Sequence, residues 1–252
     1  MKKIAIVTGG TSGIGEATAK LLLENHFKVI VTGRRAERLS EFQQKYGTDN
    51  VQTLCFDIQN ENEVLNALIT LPEEWKTIDV LVNNAGLAWG LGKFFEGNSN
   101  HWNAMIDTNV KGLLYVSKVV ANWMKDRRLG HIVNIGSIAG KEVYMNGNVY
   151  CATKHAVDAL TKAMRIELAE YNVKVTGIHP GAVETEFSEV RFDGDKERAK
   201  AVYQGFENLI ADDIADAVFY SVSRKPHVNI NDLVIMPTAQ PAAGVIFKRL
   251  ND

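Results

Sequence analysis

Short runs of β-branched and aliphatic residues punctuate the chain, separated by longer stretches in which apolar residues recur every three or four positions. The runs are Ile4–Val7, Val29–Thr32, Val51–Phe56, Ile78–Val82, His131–Ile135, Val173–Ile178 and Leu233–Met236. Runs apolar at successive positions predict strands covered on both faces. The intervening periodicity predicts helices over Glu16–Asn25 (striped by Ala17, Leu21 and Leu22), Ala36–Tyr46, Val64–Leu71, Val149–Glu170 and Asp212–Ser223. Trp102–Met124 reads as two helices or one long broken helix. Strict alternation of strand and helix predicts an α/β fold. We expect a Rossmann-type doubly wound parallel sheet in three α/β/α layers, with right-handed crossovers, in a single domain over residues 1–252. The stretch near 184–208 breaks the rhythm. It is too long for a simple connection and too charged for core, so a lid over a site is expected there.

Charge and cysteine usage narrow the partners. A net charge of −2 offers no general attraction for nucleic acid or an anionic membrane. No apolar run is long enough for a transmembrane helix, and the four residues Ile4–Val7 after Met1-Lys2-Lys3 are too short for a signal segment. Cys55 and Cys151 form no metal or redox spacing, and the histidines are scattered, so no metal is expected. A cytoplasmic location is the expectation.

The first candidate chemistry follows the first strand. Thr8-Gly9-Gly10-Thr11-Ser12-Gly13-Ile14-Gly15 lies in the first strand-to-helix turn of a doubly wound pattern. Glycines there let the chain turn tightly and let a diphosphate approach backbone N–H groups at a helix N-terminus. The second strand ends in Gly33-Arg34-Arg35, where the adenosine ribose sits in this architecture. An acidic residue would bind a 2′-hydroxyl, whereas two arginines suit a 2′-phosphate. NADP is therefore the expected cofactor.

The second candidate is Tyr150-Cys151-Ala152-Thr153-Lys154. On a helix, Tyr150 and Lys154 at i and i+4 share a face. A cation beside a phenol favours the phenolate, which makes Tyr150 a candidate acid/base. Asn83-Asn84-Ala85-Gly86 follows the fourth strand and Gly136-Ser137 the fifth, both at C-terminal strand edges. The Ser137 hydroxyl can polarise a carbonyl beside the tyrosine. Cys151 and His155 are also i, i+4, but turned about 100° away, and read as packing or interface residues.

Together these motifs resemble the short-chain dehydrogenase/reductase family. The residues that carry the likeness are Thr8, Gly9, Gly13, Gly15, Asn83-Asn84-Ala85-Gly86, Asn109, Ser137, Tyr150, Lys154 and Pro180-Gly181, in the family's order. The resemblance implies that Tyr150 exchanges a proton with the substrate oxygen. Lys154 would bind the nicotinamide ribose and lower the tyrosine pKa, and Ser137 would bind the carbonyl. Asn109 would hold a water linking Lys154 to solvent. Asp57 would meet the adenine. Gly9, Thr11, Ser12, Gly13, Ile14, Gly15, Ile58, Asn83, Ala85, Gly86, Pro180, Gly181, Val183 and Thr185 would complete the cofactor site. A homotetramer is implied, with contacts through the helices at 109–124 and 149–170 and through the last strand and tail.

Longer stretches resemble the NADP-dependent 3-hydroxy acid dehydrogenases within that family: Val31–Leu39, Leu71–Trp75, Ile78–Ala88, Thr185–Phe192 and His227–Asn231. That likeness implies substrates such as serine, allo-threonine or 3-hydroxypropionate, the last interconverting with malonic semialdehyde. A small hydroxy acid needs a cation for its carboxylate, and Arg191 is the candidate. Phe187, Phe192 and Tyr203 would close the lid and exclude water. Three alternatives stay open: a 3-oxoacyl-(acyl-carrier-protein) reductase, a general carbonyl reductase and a non-enzymatic NADP-binding regulator.

Overall fold

The computed structural model describes residues 2–248. Seven parallel strands form one sheet in the order β3-β2-β1-β4-β5-β6-β7. They are β1 Ile4–Thr8, β2 Lys28–Gly33, β3 Val51–Cys55, β4 Ile78–Asn83, β5 Gly130–Ile135, β6 Val173–Pro180 and β7 Asp232–Ile235. The helices are α1 Gly13–Glu24, α2 Ala36–Tyr46, α3 Glu61–Ile69, α4 Ser99–Ile106, α5 Leu113–Arg127, α6 Asn148–Leu168, α7 Phe187–Arg191, α8 Lys196–Tyr203 and α9 Ala211–Val222.

The continuous apolar runs become strands because each supplies both faces of the sheet. Ala5, Val7, Val29, Val31, Val80 and Val82 pack with α1, α2 and α9. Their neighbours Ile4, Ile6, Ile30 and Leu81 pack with α3 and α5. Side chains alternate along a strand, so a run of five apolar residues builds two cores. Full burial of each Val or Ile contributes roughly 1.5–3 kcal/mol.

Strand order reverses between β1 and β4, which pair directly. The loops after these two strands diverge at their C-terminal ends and open a crevice there. The glycine-rich turn after β1, Arg34 after β2, Asp57 after β3, Ala85 and Gly86 after β4 and Ser137 after β5 all follow C-terminal strand ends on this edge.

The stretch read as two helices or one broken helix is α4 and α5 joined by a π turn, Asp107–Gly112. The 184–208 stretch holds α7 and α8. The tail beyond residue 248, part of the expected assembly contact, lies outside the described residues.

Candidate active site

A cleft of about 500 Å³ runs along the crevice, from the turn after β1 to the α7–α8 segment. At its floor Ser12 caps α1 from extended backbone, with no side-chain bond to the helix's first N–H groups. Those donors remain for a ligand, at the positive end of the helix dipole. Gly13 has φ +52, and a Cβ there would lie 3.2 Å from Thr185 across the cleft. Gly15 does not line the cleft. A Cβ on it would come to 2.4 Å from both Gly9 O and Asn84 Nδ2, so this glycine seats the helix against the loops rather than touching a ligand.

The two adjacent arginines have different surroundings. Arg35 Nη2 donates to Thr11 Oγ1 at 3.0 Å and Ser12 Oγ at 2.8 Å, and its Nη1 donates to Glu186 at 3.1 Å. Arg38 meets the same carboxylate at 2.9 and 3.0 Å. Arg34 has only a 3.7 Å approach to Asp57, and its side chain is 64% exposed. Glu186 and Arg38 were not foreseen from sequence. Partial burial pushes the Glu186 carboxyl up, but Arg35 and Arg38 outweigh it and hold the group below its ordinary value.

Asn83 is a correction. It does not reach the cleft: its Nδ2 donates to Ser117 and Asn134, each at 2.8 Å, inside the core. Its neighbour Asn84 lines the cleft instead and donates to Thr8 O at 2.9 Å and Gly9 O at 3.2 Å. Alternation along β4 carried the signal, because Asn83 shares a face with the core residue Leu81. Ala85, Gly86, Asp57, Ile58, Pro180, Gly181, Val183 and Thr185 all line the cleft.

Asn109 sits in the π turn and is buried. Its Oδ1 accepts from Leu87 N at 2.8 Å, while Nδ2 donates to Leu87 O at 2.8 Å and Thr153 Oγ1 at 3.0 Å. The side chain thus ties the loop after β4 to α6, and its amide is committed to that task. π turns of this kind recur at functional sites.

α6 presents Tyr150 and Lys154 to the cleft. Lys154 is 5% exposed, and its Nζ donates to Ile135 O at 2.9 Å. Burial lowers its pKa to about 8. Lys154 Nζ lies 6.0 Å from the Tyr150 ring centroid. Burial pushes the phenol up to about 12, and the foremost opposing influence is Arg191, followed by a hydrogen bond with Ser137. Ser137 Oγ also accepts from Ala139 N at 3.1 Å and donates to Pro180 O at 3.4 Å, which fixes the hydroxyl at the strand end.

The α7–α8 segment closes over this group. The Phe187 ring lies 5.8 Å from the Tyr150 ring, and Arg191 Nη2 donates to Tyr144 Oη at 3.0 Å. Phe187 and Tyr203 line the cleft. Phe192 does not; it is buried beneath Arg198. Gly90 N donates to Arg191 O at 2.9 Å, and the Trp89 indole binds Asp193.

Cys151 is buried, and its carbonyl bonds the ring of the exposed His155 at 2.9 Å. One histidine is not scattered. His179 lies with Asp158 and Asp232, all within 4.8 Å. Lys141 holds both carboxylates at 2.6 and 3.3 Å, Lys162 holds Asp158 and Arg165 holds Asp232. This ion network fastens α6 to β7 behind the site.

Comparison with known proteins agrees with the geometry. The family model described as short chain dehydrogenase matches residues 3–196. A probable NADP-dependent dehydrogenase of Haemophilus influenzae is 46% identical over 242 residues, 96% of each chain. The NADP-dependent 3-hydroxy acid dehydrogenase YdfG of Salmonella typhi is 45% identical over 98% of this chain and 99% of its own. Among solved structures, the closed form of serine dehydrogenase complexed with NADP+ superposes with a TM-score of 0.94 at 44% identity, covering 98% of this chain and 100% of that one. The chain belongs to the short chain dehydrogenase family.

Proposed function

We propose that this protein is an NADP-dependent oxidoreductase that interconverts a small 3-hydroxy acid and the corresponding carbonyl acid. The observation that carries the reading is a guanidinium, Arg191, inside the same cleft as Ser137, Tyr150 and Lys154. That is where the carboxylate of a short hydroxy acid would sit with its hydroxyl near Tyr150. The relatives' names point to the same substrate class.

The residues present fit the cofactor. The free N–H groups at the start of α1 suit a diphosphate, and the exposed Arg34 suits a 2′-phosphate, while Arg35 braces the loop through Thr11 and Ser12. When bound, NADP supplies or accepts the hydride. The chain's own residues do the rest. Tyr150 returns the proton to the carbonyl oxygen in reduction and takes it from the hydroxyl in oxidation. Ser137 orients that oxygen, and Lys154 would hold the nicotinamide ribose through its ammonium. The 184–208 segment acts as a lid that excludes water, with Phe187 and Tyr203 on its inner side.

The cytoplasm is the proposed location, on the two free thiols Cys55 and Cys151. Among the described residues no helix is long and apolar enough to cross a membrane. A homotetramer is the proposed assembly, supported by exposed apolar side chains such as Leu114 on α5, Ile166 on α6 and Val234 on β7. Light scattering tests it.

The substrate reading is tested by NADPH consumption with a panel of short carbonyl acids, neutral ketones and 3-oxoacyl thioesters. Preferential turnover of malonic semialdehyde, and of serine or 3-hydroxybutyrate in the reverse direction, is expected. A preference for the neutral ketones or thioesters would overturn the 3-hydroxy acid assignment, and inertness toward every carbonyl would favour a cofactor-binding regulator.

A further inference from the structure

The cations around Tyr150 are arranged unequally. Lys154, on the same helix, turns its ammonium to Ile135 O, and its Nζ lies 6.0 Å from the Tyr150 ring centroid. Arg191 comes from α7, on the far side of the cleft. Its guanidinium carbon lies 5.0 Å from the Tyr150 ring centroid and 5.5 Å from that of Phe187. One of its nitrogens is spent on Tyr144 Oη, and its Nε is buried without a partner. The arginine is therefore clamped between two aromatic faces with part of its hydrogen-bonding capacity unused.

We propose that Arg191 is a positioning residue for proton transfer as well as a carboxylate anchor: carried by the lid onto the face of Tyr150, it stabilises the phenolate, so the tyrosine accepts a proton from an alcohol only beneath a closed lid. The inference rests on reading Tyr150 as the acid/base.

The surroundings of Tyr150 support it. The titratable and charged groups that face it are Lys154 and Cys151 from α6, Tyr144 from the loop before that helix and Arg191 from α7, with the Ser137 hydroxyl from the end of β5. Among the described residues, no carboxylate is one of the groups that act on it. Burial disfavours the phenolate, and Arg191 is the largest influence in its favour. A cation within about 4–6 Å lowers the pKa of an acid by roughly one to three units. Arg191 belongs to α7 of the 184–208 segment, so moving the lid moves the charge, and its carbonyl accepts from Gly90 N in the closed arrangement.

A substrate carboxylate seated on the same guanidinium would share its charge, so an uncharged substrate is the cleaner probe. The experiment follows the pH dependence of kcat/KM for NADP-linked oxidation of methyl 3-hydroxybutyrate by the wild type, Arg191→Gln and Arg191→Lys. In Arg191→Gln the rising limb should move to higher pH by about one unit or more, roughly a tenfold loss at a fixed pH below it. Arg191→Lys should recover most of the shift. Ultraviolet difference titration of the holoenzyme against Tyr150→Phe, with and without Arg191→Gln, reads the same ionisation without turnover.

A limb and a titration that stay in place while KM for 3-hydroxybutyrate rises would overturn the proposal and leave Arg191 an anchor only. Failure of the substrate reading looks different. The wild type would then oxidise the ester but not the acid, and the titration would still decide the role of Arg191.

Discussion

At the scale of single residues, the site is a balance between burial and compensation. Burial lowers the Lys154 pKa to about 8 and holds Tyr150 neutral up to about 12. At neutral pH this leaves Tyr150 protonated, the form needed in reduction, and Lys154 still mostly a cation. Tyr150→Phe keeps the ring and its packing on Phe187 but removes the proton. Turnover should fall by roughly 10²–10⁴-fold, with NADPH affinity measured by fluorescence nearly unchanged. Retained turnover in that variant would remove Tyr150 from the mechanism. Much of this constellation was legible, because each residue follows the C-terminal end of a strand or shares a helical face. The choice between Asn83 and Asn84 was legible only through alternation along β4. The commitment of Arg35 to Glu186 could not be read, since the two lie 151 residues apart in sequence.

At the scale of elements, Thr185-Glu186-Phe187 ties three structures together. Thr185 faces the phosphate loop, Glu186 binds arginines at the start of α2, and Phe187 packs on Tyr150. These ion pairs are partly exposed, and each is worth only about 0.2–1 kcal/mol. Glu186→Gln should therefore speed NADPH release by a few-fold in stopped-flow fluorescence, and added salt should produce the same effect in the wild type. An unchanged release rate in the variant would show that the pair does not hold the lid. The sequence announced this segment by its length and charge. It could not announce α7 and α8 as separate helices, because their apolar residues meet the cleft and not a regular core face.

At the scale of the whole molecule, the sheet carries a buried titratable group far from the chemistry. His131 in β5 is 3% exposed, bonds Thr176 Oγ1 at 2.8 Å and leaves Nδ1 without a partner. Burial, then the charges of Lys174 and Lys3, lower its pKa from 6.5 to about 3. Between those values the unfolded chain binds the extra proton and the folded one does not. Stability thus falls as pH drops through that window, by at most about 1.4 kcal/mol per unit. Urea midpoints taken at neutral pH and near pH 4.5 should show the loss, and His131→Gln should flatten it. An equal slope in the variant would place the acid sensitivity elsewhere. The architecture itself was the most legible feature, since runs apolar on both faces leave few arrangements other than a covered parallel sheet.

The π turn at Asp107–Gly112 gives the chain an unusual response to deletion. It sets two helical registers side by side: α5 must direct Val116, Val120 and Met124 into the core, and Asn109 must reach Leu87 and Thr153. One residue separates the two phases, about 100° of rotation. In most helices a one-residue deletion turns the downstream apolar face toward water. Here the same deletion would heal the segment into uninterrupted α-helix and leave the core in place, while Asn109 swings away from the loop that shapes the cleft. Genetically, this is a position where a shortened gene product should accumulate as folded protein and fail as a catalyst.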